Sequence, residues 1–354
     1  MKKIISIVGA RPQFIKLSAL TKELNKKYNE VIVHTGQHYD NNMSEVFFEE
    51  LGIQVPKYNL NIGSGLHGEQ TGKMMGAIEE VIHKEEPDLV ITFGDTNSTL
   101  AGAIVAAKLG VVTIHIEAGL RSFNKAMPEE INRVLTDHAS DYLFAPTQEA
   151  VSHLEREGLG EKTVLTGDIM VDTVLNNVKI AAETSNIIEK YNLHSSGYYL
   201  ATLHRPYNVD DPQILSLTLE QLNLLDKKVL FPMHPRTQKS ISDSIISVGD
   251  NIEIIEPAGY LDFLQLMSNS YKIITDSGGI QKEAYILEKP CITLRSETEW
   301  TETVDAGWNL LINIAETSDF HRQIIGFSPK EYHPDLYGIN VGSRMAREIE
   351  NILS

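Results

Sequence analysis

Residues 88–118 read "DLVITFGDTNSTLAGAIVAAKLGVVTIHIEA". Two short apolar runs, "LVITF" and "VTIHI", flank a stretch rich in Ala and small residues with helical spacing, and both runs end in polar clusters. That is one strand–helix–strand unit, and the small side chains over 98–109 suit a helix pressed closely on a sheet. The same rhythm precedes it in "KIISIVG" (3–9), "PQFIKLSALTKELNKK" (12–27) and "EVIVHTG" (30–36). It resumes after residue 198 with "YYLATLH", a helix around 211–226, "KVLFPMH", "IEIIEP", a helix at 260–269, "YKIITDSGG" and "PCITLR". Strands alternating with helices predict parallel sheets covered on both faces. The fold class is therefore α/β, with two doubly wound Rossmann-like domains expected to face a central cleft. The polar helical stretch inside 168–196 reads as the connection, which sets the first domain at 1–168 and the second at 169–340. The terminal helical pattern, about 341–354, is expected to pack back on the first domain.

Length and charge narrow the classes of function. A chain of 354 residues exceeds one ordinary core. No apolar run reaches the 18 or so residues of a membrane span, and "MKKIISIVGARP" reads as a first strand rather than a leader. The expected compartment is the cytoplasm. Cys291 stands alone in a strand-like run, which removes a disulfide framework and reads as a buried inert thiol. A net charge of −17 opposes broad nucleic-acid binding. It also means that any anionic ligand must be held by a local concentration of cations.

Such concentrations stand at the strand ends, where doubly wound sheets bind ligands. The first half offers Arg11 and Lys16 in "GARPQFIK", and Asp95 in "GDTNS". It then offers His115, Glu117 and Arg121 in "HIEAGLRS", and Glu129, Glu130 and Arg133 in "MPEEINR". The second half offers His204 and Arg205, then His234 and Arg236 in "HPR". Ser277, Gly278 and Gly279 follow, where bare backbone N–H groups at a helix start suit a phosphate. Glu283 lies about one and a half turns further on. Taken singly, each of these also reads as a turn cap or an ion-pair partner. Together they put carboxylates on one wall and cations with an anion-type turn on the other. Gly9 lacks the spacing of a dinucleotide fingerprint, and the histidines lack metal-ligand spacing, so neither NAD nor a metal is expected.

The ordered set "GARPQFIK", "GDTNSTLAGA", "HIEAGLRS", "MPEEINR", "LHR…N", "HPR", "TDSGGIQKEA" and "LRSETEW" resembles the non-hydrolysing UDP-N-acetylglucosamine 2-epimerases, from residue 4 to about 310. The resemblance implies a GT-B-like architecture, a homodimer, a UDP-sugar as the small-molecule partner, no nucleic-acid or membrane partner, and a place in surface polysaccharide biosynthesis. It implies inversion at C2 by elimination of UDP to a 2-acetamidoglucal and re-addition. It makes Asp95, Glu117, Glu129 and His204 the catalytic set. It assigns Arg11, Lys16, Arg133, Arg205, His234 and Arg236 to the nucleotide-sugar site. Ser277, Gly278 and Gly279 become the diphosphate turn, Glu283 the ribose contact, and Phe263 a neighbour of the uracil. The chain departs from the family pattern at three places: Pro206-Tyr207 after the histidine, Ala258, and Trp300, where relatives carry an arginine in "TER". "ETEW" with "AGWN" leans toward the branch acting on UDP-2,3-diacetamido-2,3-dideoxyglucuronate, in which an aromatic face at Trp300 would pack the added acetamido methyl. A hydrolysing epimerase, a GT-B glycosyltransferase and an inactive UDP-sugar binder are the competing readings.

Overall fold

The computed structural model describes residues 1–37, 48, 52–317 and 319–354. The chain divides into two compact units, Met1–Thr173 with Asp335–Ser354, and Val174–Pro334.

Among the described residues the first unit holds seven strands, β1 (Lys3–Val8), β2 (Asn29–His34), β3 (Tyr58–Asn59), β4 (Leu89–Phe93), β5 (Val112–Ile116), β6 (Tyr142–Ala145) and β7 (Thr163–Leu165). They pair in parallel in the order β3-β2-β1-β4-β5-β6-β7. The near-continuous apolar strands are buried on both faces, as a parallel sheet covered by helices requires. Helices His67–Glu85, Asn97–Leu109 and Pro128–Ala139 pack in a row on this unit. The middle one buries Ala101, Gly102, Ala103 and Ala106, which is what its small residues predicted. It starts at Thr96, whose side chain accepts from Thr99 N.

The second unit repeats the plan with β8 (Tyr198–Thr202), β9 (Lys228–Pro232), β10 (Ile252–Ile255), β11 (Lys272–Thr275), β12 (Cys291–Thr293) and β13 (Asn309–Leu311). The order is β10-β9-β8-β11-β12-β13, again parallel. Its core gathers Tyr199, Leu215, Leu219, Phe231, Ile274 and Phe320, among others.

In each sheet the strand order reverses at one place, between β1 and β4 and between β8 and β11. Chains leaving neighbouring strands there diverge to opposite faces and leave a crevice at their carboxyl ends. The candidate residues after β1, β4, β8 and β11 therefore sit at the switch points.

The stretch read as a polar connector is different in structure. Met170–Thr184 is one helix, and the boundary between the units falls inside it, at 173/174 rather than at 168/169. Ile169, Met170, Val171, Val174 and Ala181 are buried, an apolar stripe that the surrounding polar letters masked. The chain rejoins the first unit at Asp335, six residues earlier than expected, with Asp168 N donating to Tyr337 O at 2.8 Å. Helix Val341–Leu353 then packs on helix Arg11–Leu24. Asp172 accepts from Val341 N at 3.1 Å and Gly342 N at 2.8 Å, capping its start.

Candidate functional site

In the first unit, Arg11 opens the helix after β1 and Lys16 lies five residues on, where it pairs with the Glu117 carboxylate. Both partners of this pair are largely buried. Gln13 locks the turn below them. Its Oε1 accepts from Gly9 N at 2.7 Å and Ala10 N at 3.0 Å, and its Nε2 donates to Phe93 O at 2.7 Å. The loop after β1 is thereby tied to the loop after β4, which carries Asp95.

Asp95 is held by Arg133 Nη2 at 2.5 Å. Burial pushes its carboxyl above the ordinary value. Arg133 and Lys16 pull it back, while the negative charges of Glu117 and Glu129 push it further up. The three carboxylates and two cations named from sequence thus share one electrostatic field. Glu129 is exposed, whereas its neighbour Glu130 is buried. Glu130 accepts from Ser122 N at 2.8 Å and Phe123 N at 3.0 Å, so it is the loop anchor of the pair.

Glu117 has φ of +71°, in the left-handed region that a non-glycine residue enters only when its surroundings hold it there. The restraints are visible. Glu117 N and Ala118 N both donate to Phe144 O at 3.1 Å, and Gly119 N donates to Asp137 Oδ2 at 3.1 Å. Asp137 also meets His115 Nδ1 at 2.6 Å and Arg121 Nη2 at 2.7 Å, all three side chains buried, and Arg121 reaches on to Glu157 at 2.8 Å. His115 and Arg121, two of the strand-end residues singled out above, therefore brace the Glu117 loop from behind.

In the second unit, Asp276 follows β11 with its side chain at 0 % exposure. It accepts from His204 N at 3.0 Å, Arg205 N at 2.9 Å and Asn208 Nδ2 at 3.2 Å. His204 Nδ1 lies 3.3 Å from Asp276 Oδ1. Burial pushes the His204 imidazole below its ordinary value, Asp276 opposes this, and Arg205 and His234 add to it. The His234 ring stands 5.7 Å from that of His204. Its Nδ1 accepts from Arg236 N at 3.2 Å and so caps helix Pro235–Ser244. Arg236 is exposed and turned into an ion pair with Asp210. Arg205 Nε is buried with no hydrogen-bond partner among the described residues.

Ser277 stands at the N-cap position of helix Gly278–Ile286. The two glycines differ. A Cβ on Gly279 would meet nothing within 4 Å, but one on Gly278 would stand 2.1 Å from Glu299 Oε1. The space beside Gly278 thus belongs to Glu299, itself paired with Arg295 at 2.9 Å. Glu283 lies on the same helix. Burial pushes its carboxyl up to about 7, against the pull of Lys282 and the Tyr260 hydroxyl. Phe263 is half-buried on helix Tyr260–Asn269. Trp300 is 5 % exposed, and Lys282 Nζ sits 3.8 Å from its ring centre. One aromatic face is therefore covered by an ammonium. Tyr207, half-exposed, lies in the field of Arg295, Arg205, Asp276 and Glu299. Cys291 is buried, its thiol pushed up to about 12 by burial, in keeping with an inert side chain.

Residues 22–326 match the family described as UDP-N-acetylglucosamine 2-epimerase. The chain belongs to the UDP-N-acetylglucosamine 2-epimerase family. It is 50 % identical over 322 residues to the UDP-N-acetylglucosamine 2-epimerase of Methanocaldococcus jannaschii, covering 88 % of each chain. It is 48 % identical over 321 residues to the UDP-2,3-diacetamido-2,3-dideoxy-D-glucuronate 2-epimerase of Pseudomonas aeruginosa, covering 88 % of this chain and 89 % of that one. The crystal structure of the M. jannaschii UDP-GlcNAc 2-epimerase in complex with UDP-GlcNAc and UDP is similar at a TM-score of 0.88 and 46 % identity, over 99 % of this chain and 100 % of that chain. The two-sheet α/β architecture is that of these epimerases.

Within this epimerase, sequence reasoning missed Gln13, Asp137, Asp276, Arg295 and Glu299. Gln13 stands third in its helix, the capping-box position, and was legible as such. Asp276 lies within "TDSGG", where the glycines carry the local signal. Asp137, in the last turn of helix Pro128–Ala139, carries no local signal; only the fold brings it under the loop after β5. No described helix is long and apolar enough to cross a membrane.

Proposed function

We propose that the chain is a non-hydrolysing 2-epimerase of a UDP-activated 2-acetamido sugar that serves surface polysaccharide biosynthesis in the cytoplasm as a homodimer. The observation that carries this reading is the cluster of Asp95, Glu117 and Glu129 with Lys16 and Arg133, in a chain of this family. The C2 hydrogen of such a sugar is not next to a carbonyl, so its removal must be coupled to departure of UDP from C1. A carboxylate takes the C2 proton, the C1–O bond breaks, and 2-acetamidoglucal and UDP remain bound. UDP then adds back to C1 while C2 is protonated on the opposite face. The scheme needs two acid/base groups with different affinities for a proton. Burial raises the Asp95 carboxyl, and Glu117 is paired with Lys16, so the two carboxylates stand in different surroundings. His204, Arg205 and the start of helix Gly278–Ile286 would take up charge growing on the leaving diphosphate. Arg11 and His234 would contact the nucleotide sugar, Glu283 the ribose, and Phe263 the base. The route uses no nicotinamide and no metal ion. Exposed Phe123, Ile131 and Leu135 in the first unit support the homodimer.

Both relatives at about 50 % identity leave two substrates to try, UDP-N-acetylglucosamine and its 2,3-diacetamido-uronate counterpart. Each is incubated with the protein in deuterated water and followed by proton NMR at C2. Deuterium entering C2 with the manno isomer of one sugar establishes the reaction and its substrate. Accumulation of free UDP with free sugar would replace this reading with hydrolysis, and no exchange at all would refute it.

A further inference from the structure

The neighbouring strands β8 and β11 run in parallel, with Thr202 opposite Thr275, so the segments leaving them begin side by side. One of these segments carries His204 and the other carries Asp276. Asp276 is fully buried, and its carboxylate accepts from two consecutive backbone N–H groups, His204 and Arg205, and from the Asn208 amide. A carboxylate accepting several N–H groups fixes the loop that supplies them. Its Oδ1 also lies 3.3 Å from His204 Nδ1. This is an ion-pair distance, at which the lone pairs of a carboxylate and of a bare imidazole nitrogen repel, so the hydrogen is favoured on Nδ1. Nε2 is then the nitrogen left for other chemistry. His204 is about one-third exposed, so its far edge is accessible while the edge toward Asp276 is not.

We propose that Asp276 is a positioning residue that holds His204 in the Nδ1–H form, with Nε2 directed to the reacting sugar nucleotide. This rests on the epimerase reading for what Nε2 meets, but the tautomer itself does not. The groups that face His204 are Asp276 from the end of β11, Arg205 beside it in the chain, and His234 after β9. Burial, Arg205 and His234 disfavour the imidazolium, and Asp276 opposes them. His234 has the opposite arrangement: its Nδ1 accepts from Arg236 N, so its hydrogen in the neutral ring is on Nε2. Two imidazoles 5.7 Å apart are thus set in complementary tautomers by different partners. Asn208, donating to both Asp276 Oδ2 and Leu294 O, ties the same loop to the segment after β12. Asp276 thereby sets the place of His204 as well as its protonation.

The test uses the full-length protein with ¹⁵N-labelled histidine. Long-range ¹H–¹⁵N spectra report which ring nitrogen carries the proton, with His204 assigned by its loss in His204→Gln. The wild type is expected to show neutral His204 as the Nδ1–H form. In Asp276→Asn the midpoint of His204 titration should fall by on the order of one unit, because a stabilising charge is gone. The limb of the pH–rate profile assigned to His204 should move with it. With the better of the two sugar nucleotides, kcat should fall roughly 10- to 100-fold, while KM changes far less. An Nε2–H form in the wild type overturns the proposal, and that reading needs no variant. So does a folded Asp276→Asn protein whose titration and kcat are unchanged. A wild type that epimerises neither sugar refutes the functional reading and leaves the tautomer result standing.

Discussion

Replacing Asp137 by Asn should strip the Glu117 loop of its support with almost no change of shape. Asp137 faces three donors, His115 Nδ1 at 2.6 Å, Arg121 Nη2 at 2.7 Å and Gly119 N at 3.1 Å. Asparagine brings one acceptor and one NH₂ group, so at least one donor meets another donor. The larger effect is on Arg121, whose side chain is 1 % exposed and keeps only the partly exposed Glu157 as a counter-charge. Removing one partner of a buried ion pair destabilises by about 3–5 kcal/mol, and the surviving pair puts this case near ~3 kcal/mol. With a urea dependence of ~2 kcal/mol per molar, the unfolding midpoint should drop by ~1.5 M. Far-UV circular dichroism reads this loss. Fluorescence tells whether the loss is confined to the first unit, since both tryptophans, Trp300 and Trp308, lie in the second. Burial raises the Asp137 carboxyl, but His115 and Arg121 outweigh it and hold it below its ordinary value. Its contribution is therefore full above the unfolded carboxylate pKa of about 3.9 and is lost as pH falls through the folded value. The variant's stability should accordingly fall less steeply toward acid. Activity should fall too, because small displacements of a reacting group carry large penalties. A midpoint shift below ~0.3 M would refute the reasoning, since it would mean that Arg121 does not depend on Asp137.

Glu129→Gln should abolish most epimerisation with unchanged thermal unfolding, whereas Glu130→Gln should lower the unfolding temperature through loss of the Ser122 and Phe123 anchors. Equal behaviour of the two variants by calorimetry and rate assay would contradict the division of roles drawn from their exposure. Gly119→Ala should destabilise by more than ~1 kcal/mol from its left-handed backbone alone, at φ of +83°, with a further penalty from a Cβ 2.5 Å from Ala150 O. Urea titration checks it, and wild-type stability would count against the described loop. Burial holds the Glu283 carboxyl at about 7, so the folded protein keeps its proton where the unfolded chain has released it. That contribution is full below an unfolded value of about 4.3 and is lost as pH rises through about 7. Glu283→Gln should flatten this slope in the tryptophan-monitored stability of the second unit, and an unaltered slope would remove Glu283 as its source.

The alternation of apolar runs and helical stretches made both sheets legible, because strands buried on two faces leave an unmistakable run such as "LVITF". What local pattern could not supply was the strand order, and with it the partners of side chains far apart in sequence. His115 and Arg121 looked like ligand groups because each ends or follows a strand. Asp137, some 16 to 22 residues away, turns them into supports. Glu129 and Glu130 are adjacent letters with opposite fates, and only the helix register of Pro128–Ala139 separates them. Trp300 was read by what it replaces in relatives. The cation that covers its face, Lys282, lies 18 positions earlier, on a different helix. The polar connector misled in the other direction: its charged letters hid an apolar stripe that only an assumed helical period would have shown.

The way the chain returns to its first unit has a consequence for synthesis. Helix Val341–Leu353 and the Asp172 cap that receives it complete the first unit, yet that helix leaves the ribosome after the whole of Val174–Pro334. The second unit has all its strands and helices available earlier and can close while translation continues. The first must wait, with the apolar side of helix Arg11–Leu24 uncovered, until Val341, Met345 and Ile349 arrive. During that interval a nascent chain exposes the surface on which chaperones act, and an abrupt stop near residue 335 would leave the first unit unfinished while the second is complete.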